Sequence, residues 1–141
     1  MTTLRRASLW LPPLVYMAVI FYFSSESQPL PALTARVWDK LLHTVEYAGL
    51  AILVFRALDG EGLIGWRAAI LTVFFVSAYG ASDEWHQLFV PMRSADVQDW
   101  LTDTLAGAIG AAACVGFQGA RNGRPLTSSS RRAGRRPGRN A

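Results

Sequence analysis

Four apolar runs alternate with short polar segments along the chain: Ser8–Ser25, Leu41–Leu58, Trp66–Gln87 and Trp100–Phe117. As a helix, each spans or nearly spans a bilayer hydrocarbon core about 30 Å thick. The pattern predicts an all-α fold, a four-helix transmembrane bundle. The expected helix ends carry suitable residues. Pro12 and Pro13 fall where the opening turns of the first helix are expected, and a missing N–H costs least there. Gln28-Pro29-Leu30-Pro31 breaks the chain, and Asp39 can cap the second helix. Asp59-Gly60-Glu61-Gly62 reads as a tight turn. Pro91 ends the third helix, and Ser94 can cap a fourth whose first turn carries Asp96. No internal repeat is evident.

Three of the runs carry ionisable groups: His43 and Glu46, then Asp83, Glu84 and His86, then Asp99 and Asp103. A charge at the centre of a membrane helix costs at least about 2.5–3.5 kcal/mol, so such groups usually face a bundle interior or a wet cavity. Helical spacing puts Asp39, His43, Glu46 and Leu50 on one face. Tyr79, Asp83 and His86 share another, with Gln87 beside them, while Glu84 points about 100° away from Asp83. Asp96, Asp99 and Asp103 share a third, which continues as Ala106, Gly107 and Gly110. Small residues there let a neighbouring backbone approach closely. The expectation is a hydrated mouth at one end of the bundle and a tight floor at the other.

These groups admit more than one chemistry. They can bind a ligand, or they can only tie helices together, as a His43 contact with Asp99 or Asp103 would. His43 or His86 beside a carboxylate can also serve acid–base catalysis. His43-x-x-Glu46 and Asp83-x-x-His86 have spacings seen in metal-binding bundles. Such pairs are common without metal, so no metal and no cofactor is assigned. Arg93, in the loop before the fourth helix, suits phosphate or carboxylate recognition and equally an ion pair with Asp96 or Asp99. A ligand site drawn from all three faces includes Asp39, Lys40, His43, Glu46, Tyr47, Asp83, Glu84, His86, Gln87, Arg93, Asp99 and Asp103.

Composition refines the picture. Of 141 residues, 51% are hydrophobic and 17% charged, and the net charge is +4. Seven of the 14 basic residues follow Ala120, so the positive charge is a tail and not a nucleic-acid surface. With both termini cytoplasmic, 11 basic residues lie inside and only Arg36, Lys40 and Arg93 outside, the distribution of the positive-inside rule. Trp10 and Trp66 then sit at inner helix ends, and Trp38, Trp85 and Trp100 at outer ends, as an interfacial aromatic belt requires. The one cysteine, Cys114, leaves no internal disulfide. Arg5 and Arg6 precede an apolar run without a small-residue cleavage site, which favours an anchor over a removed leader. The domain expectation is one membrane domain over 1–119 and a disordered basic cytoplasmic tail over 120–141, where Gly, Ser, Pro and Arg dominate.

Three blocks of sequence resemble a known family. Phe23-Ser24-Ser25-Glu26-Ser27-Gln28 ends the first run. Asp39-Lys40-Leu41-Leu42-His43-Thr44-Val45-Glu46-Tyr47-Ala48-Gly49-Leu50 opens the second. Ser82-Asp83-Glu84-Trp85-His86-Gln87-Leu88-Phe89-Val90-Pro91-Met92-Arg93-Ser94, with Asp99 through Gly107, forms the third. Together they are similar to the VanZ-like family of small bacterial membrane proteins, over about Ser24–Gly110. The resemblance points to Asp39, Lys40, His43, Glu46, Tyr47, Asp83, Glu84, Gln87, Pro91, Arg93 and Asp99. Met92 stands where the family often has Gly, and Asp103 where it often has Asn. The family name derives from glycopeptide (teicoplanin) resistance and implies no defined biochemical activity.

The resulting expectation is a multi-pass protein of the bacterial plasma membrane with an extracytoplasmic polar pocket. It binds a cell-envelope component and modulates envelope chemistry or glycopeptide sensitivity. An intramembrane His/carboxylate hydrolase or transferase is the alternative, and a non-binding accessory subunit a third reading. Expected partners are membrane lipids, an envelope precursor or lipid-linked ligand, and further copies of the chain, with no nucleic acid.

Overall fold

The computed structural model describes residues 2–26 and 36–122, without the side chains of 36–40 and 122. Among these residues four helices alternate in direction: α1 Thr3–Ser25, α2 Arg36–Gly60, α3 Trp66–Gln87 and α4 Val97–Asn122. Among the described residues there is no strand. The proline-rich break at 28–31, the side chains of Asp39 and Lys40, and the basic segment from 123 onward lie outside the described residues.

Several helix boundaries differ from expectation. α2 begins at Arg36, so Asp39 lies inside the helix and does not cap it. α1 begins at Thr3, where the Arg5 and Arg6 N–H groups donate to the Thr2 carbonyl (3.1 and 3.2 Å). Pro12 and Pro13 therefore lie inside the helix and not in its opening turns. Thr3–Ala7 holds Leu, Arg and Ala, good helix formers, and the two arginines lower the hydropathy without opposing the helix. The prolines withhold two N–H donors, and the buried Pro13 ring contributes apolar packing in return. α2 runs through Gly60, so the turn starts only at Glu61. There Gly62 takes φ 99°, its N–H reaches the Asp59 carbonyl at 2.9 Å, and the Leu63 N–H reaches the Leu58 carbonyl at 3.0 Å. This is the Schellman arrangement, which favours glycine at the left-handed position. α4 continues past Ala120 to Asn122.

The α3–α4 connection is also specified locally. The Arg93 N–H donates to the Val90 carbonyl at 3.1 Å, Pro91 holds the second turn position and Met92 the third, with φ 66°. These are the marks of a type II turn, whose third position favours glycine. Met92 adopts the bend despite its Cβ. The cap of α4 is Asp96 and not Ser94. The Asp96 carboxylate accepts the Gln98 N–H at 2.8 Å, and its carbonyl accepts from Asp99 and Trp100. The cap expected at Ser94 thus falls two residues later, on the Asp96 expected in the first turn, because the type II turn carries the chain past Ser94 before the helix begins.

α4 packs against α2 and α3. α1 packs mainly against α2 and more lightly against α3, with no approach to α4 among the described residues. The core contains Ile20, Tyr47, Leu50, Ala51, Val54, Val76 and Ala106. Glycine sets the closest approach. A Cβ on Gly110 would lie 2.9 Å from the Ala48 carbonyl oxygen, and one on Gly107 would lie 2.7 Å from Val76 Cγ1. The small-residue face expected on the fourth helix is the face that meets α2 and α3.

Large apolar side chains cover the outside, among them Leu14, Val15, Ile52, Phe74, Leu105 and Ile109. Such a surface suits lipid. Among the described residues three helical stretches are long and apolar enough to cross a membrane: Thr3–Ser25, Leu41–Gly60 and Val97–Arg121. α3 has the length but not the apolarity expected of it. Its buried stripe carries Thr72, Gly80, Asp83, Glu84 and Gln87, so polar groups replace the aliphatic ones that hydropathy counts.

Candidate functional site

Because the helices alternate, the end of α1, the start of α2, the end of α3 and the start of α4 meet at one end of the bundle. The polar residues gather there. His43 Nδ1 on α2 lies 3.2 Å from Asp103 Oδ1 on α4, with the Asp103 side chain fully buried and His43 12% exposed. The Tyr47 ring, one turn further along α2, is parallel to the His43 ring at 6.3 Å between centroids. Its hydroxyl donates to Asp83 Oδ2 on α3 at 3.5 Å, the long limit of a hydrogen bond, and Gln87 Nε2 donates to the same oxygen at 3.2 Å. Gly80 makes room between the two pairs. A Cβ there would stand 3.4 Å from Tyr47 Cε1 and 3.5 Å from Asp103 Oδ2.

Glu84 turns the other way, toward α4. Its Oε2 accepts the Asp96 N–H at 2.7 Å and so ties α3 to the start of α4. Asp99 is half-buried and within electrostatic reach of both Glu84 and Asp103. An open cleft of about 250 Å³ lies beside Glu84, lined by Ala81, Glu84, Ala95, Asp96, Val97 and Trp100. The Trp100 indole N–H donates to the Ser77 carbonyl at 3.0 Å, which holds the ring against α3.

The remaining predicted residues lie toward α1. His86 Nε2 is 3.0 Å from Ser25 Oγ, and its ring packs on Phe21 at 4.4 Å. The Arg93 guanidinium donates to the Phe23 carbonyl at 3.5 Å, and among the described residues no ion pair joins it to Asp96 or Asp99. Glu46 is half-buried, within electrostatic reach of Tyr16 and Tyr79, and the Tyr79 hydroxyl donates to the Met17 carbonyl at 2.7 Å.

The structure thus brings together His43, Tyr47, Asp83, Glu84, Gln87, Asp99 and Asp103 between α2, α3 and α4. It sets Glu46, His86 and Arg93 on the α1 side. The common face expected for Tyr79, Asp83 and His86 divides, because α3 touches all three other helices and neighbouring residues on it meet different partners. Among the described residues no group of three or more His, Cys, Asp and Glu converges as a metal site.

Three carboxylate oxygens in this cluster, Asp83 Oδ1, Glu84 Oε1 and Asp103 Oδ2, are buried without a hydrogen-bond partner. Leaving such an acceptor unpaired costs about 1–3 kcal/mol each, and native proteins leave few. When ionised, these carboxylates can only accept, so they call for donors: ammonium, hydroxyl or water.

Trp100 and Gly80 are absent from the sequence-based site. So are the contacts that close the opposite end. There Arg6 pairs with Glu61 at 3.2 Å, Trp10 donates to Glu61 at 3.4 Å, and Gln118 donates to Asp59 at 2.7 Å. Each joins residues more than 50 apart in sequence, and helical periodicity within one segment carries no signal of such pairs.

A family model described as VanZ/LLP1 matches residues 3–118. No curated protein and no solved structure matches the chain.

Proposed function

The chain belongs to the VanZ/LLP1 family, and from that membership and the polar cluster we propose a multi-pass protein of the bacterial plasma membrane with an extracytoplasmic pocket for a cell-envelope component. Both termini are cytoplasmic in this reading, which rests on the basic residues around α1, the α2–α3 turn and the tail. The pocket lies between α2, α3 and α4. The observation that carries it is the set of buried carboxylate oxygens without partners on Asp83, Glu84 and Asp103. Interhelical polar contacts in membranes average only about 0.6 kcal/mol, too little to offset several unpaired buried acceptors, so assembly alone is a poor reason to keep them. A lipid-linked or amphiphilic envelope component supplies the missing donors while its apolar part stays in the membrane. Occupancy would then modulate envelope chemistry or sensitivity to teicoplanin-type glycopeptides. Native mass spectrometry of the purified protein with co-purifying lipids retained tests this. A bound envelope component lost in His43→Ala and Asp99→Asn, with the bundle still folded, is the expected result. Unchanged retention in both variants refutes the pocket.

One observation favours a second reading. His43 held by Asp103 is the arrangement of a general base and the carboxylate that orients it. An intramembrane hydrolase or transferase would keep ligand binding in His43→Gln and lose turnover.

A further inference from the structure

Positive charge gathers at the end of the bundle away from the polar cluster. The start of α1, the end of α2, the start of α3 and the end of α4 meet there, and they bring Arg5, Arg6, Arg56, Arg67 and Arg121 together with only Asp59 and Glu61. Both acids are engaged inside the bundle: Glu61 is held by Arg6 and Trp10, and Asp59 by Gln118. Arg67 and Arg121 are exposed, and among the described residues neither pairs with a carboxylate. Each guanidinium instead lies over an exposed aromatic ring of its own helix. Arg67 is 5.8 Å from the centroid of Trp66, itself 66% exposed, and Arg121 is 5.8 Å from that of Phe117, 65% exposed. The ring attracts the flat face of the cation and leaves its N–H edge free for an anion. The Gly65 N–H donates to Gln118 Oε1 at 3.3 Å, so the two arginine–ring pairs belong to helix ends that touch.

An exposed apolar stripe leads away from each ring toward the middle of the bundle. Trp66, Ile70 and Phe74 follow one another at four-residue steps along α3. Phe117, Ile109 and Leu105 stand at multiples of four along α4, and all six are more than half exposed. A cation at the head of an apolar stripe fits an amphiphile with an anionic head and not a soluble anion, and the guanidinium fork matches phosphate. We propose that the Arg67–Arg121 patch binds the phosphate headgroup of an anionic phospholipid, with the acyl chains lying along the two stripes. Charge argues against the other occupants. Residues 123–141 hold arginines and no acidic residue, so the chain's own continuation is repelled, and a second copy presenting the same end is repelled equally. The patch is separate from the pocket between α2, α3 and α4 and does not depend on which way the chain crosses the membrane.

The test is lipid competition read by native mass spectrometry. The intact protein is purified in the presence of equal amounts of phosphatidylglycerol and phosphatidylethanolamine of identical acyl composition. Wild type should retain the glycerol lipid in preference. Arg67→Gln and Arg121→Gln should each lower that preference by about 5-fold, the ratio that about 1 kcal/mol per basic residue near an anionic surface corresponds to, and the double variant should lower it further. Both side chains are exposed and tie no two helices together, so the bundle should fold in every variant, which tryptophan fluorescence checks. Arg56→Gln removes an exposed arginine from the same end outside the patch and should leave most of the preference in place. Equal retention of the two lipids by wild type overturns the assignment, as does an undiminished preference in the double variant. A loss in Arg56→Gln as large as in Arg67→Gln also overturns it, because the charge of this end would then act diffusely and not as a site. A dimer that forms in lipid-free protein and is lost in the double variant would make the occupant a second copy and refute the lipid.

Discussion

Asp103 is the residue on which the cluster's architecture can be tested most sharply. It is fully buried between α2, α3 and α4, accepts or shares a proton with His43 at 3.2 Å, and faces Gly80 of α3 at close range. Asp103→Asn preserves shape. Its amide offers an oxygen if His43 Nδ1 carries the proton and an N–H if it does not, so either tautomer keeps a partner. The loss should stay below about 1 kcal/mol, the scale of an interhelical hydrogen bond in a membrane. Asp103→Leu removes the partner of His43 and adds volume where α3 has only the backbone of Gly80. An unpaired buried imidazole costs about 1–3 kcal/mol and overpacking a further 1–3, so a combined destabilisation of about 2–4 kcal/mol is expected after partial relaxation. Reversible unfolding in mixed micelles, followed by tryptophan fluorescence, measures both variants against wild type. A leucine variant as stable as wild type would refute the buried pairing of His43 with Asp103. Equal losses in the two variants would show that charge, and not shape and hydrogen bonding, holds the site.

Three further outcomes follow from the geometry. Met92→Gly removes the cost of a left-handed backbone, about 1–2 kcal/mol, against about 0.5–1 kcal/mol of added chain entropy, so the same unfolding assay should show a small stabilisation. Gly110→Leu drives a side chain into the Ala48 carbonyl and should destabilise by more than about 2 kcal/mol, whereas Gly116→Leu, with open space around it, should be near neutral. For topology, in a Cys114→Ala background, Ser94→Cys should react with an impermeant thiol reagent added outside intact cells and Ile64→Cys should not, both positions being exposed; the reverse pattern inverts the proposed orientation.

What the sequence determined by itself is what short-range physics encodes. Helix number and class follow from apolar length. The close-packed face of α4 follows from Ala106, Gly107 and Gly110 at helical spacing, and the presence of a polar end follows from ionisable residues placed at matching depth in three runs. Residue types also marked the α3–α4 bend, since Val90-Pro91-Met92-Arg93 holds proline where a type II turn wants it. Only tertiary structure decided which polar group meets which. Asp83 and Glu84 are neighbours on one helix, yet one meets Tyr47 of α2 and the other caps the approach to α4. His86, expected on the same face as Asp83, instead meets Ser25 and Phe21 of α1. Helical periodicity fixes the angle of a side chain about its own axis, but a partner depends on the azimuth and depth of another helix. Those are set by interhelical contacts such as Gly110 on Ala48 and Gly80 beneath Tyr47 and Asp103, where the closest approach of two backbones leaves only one register in which the polar groups can reach each other.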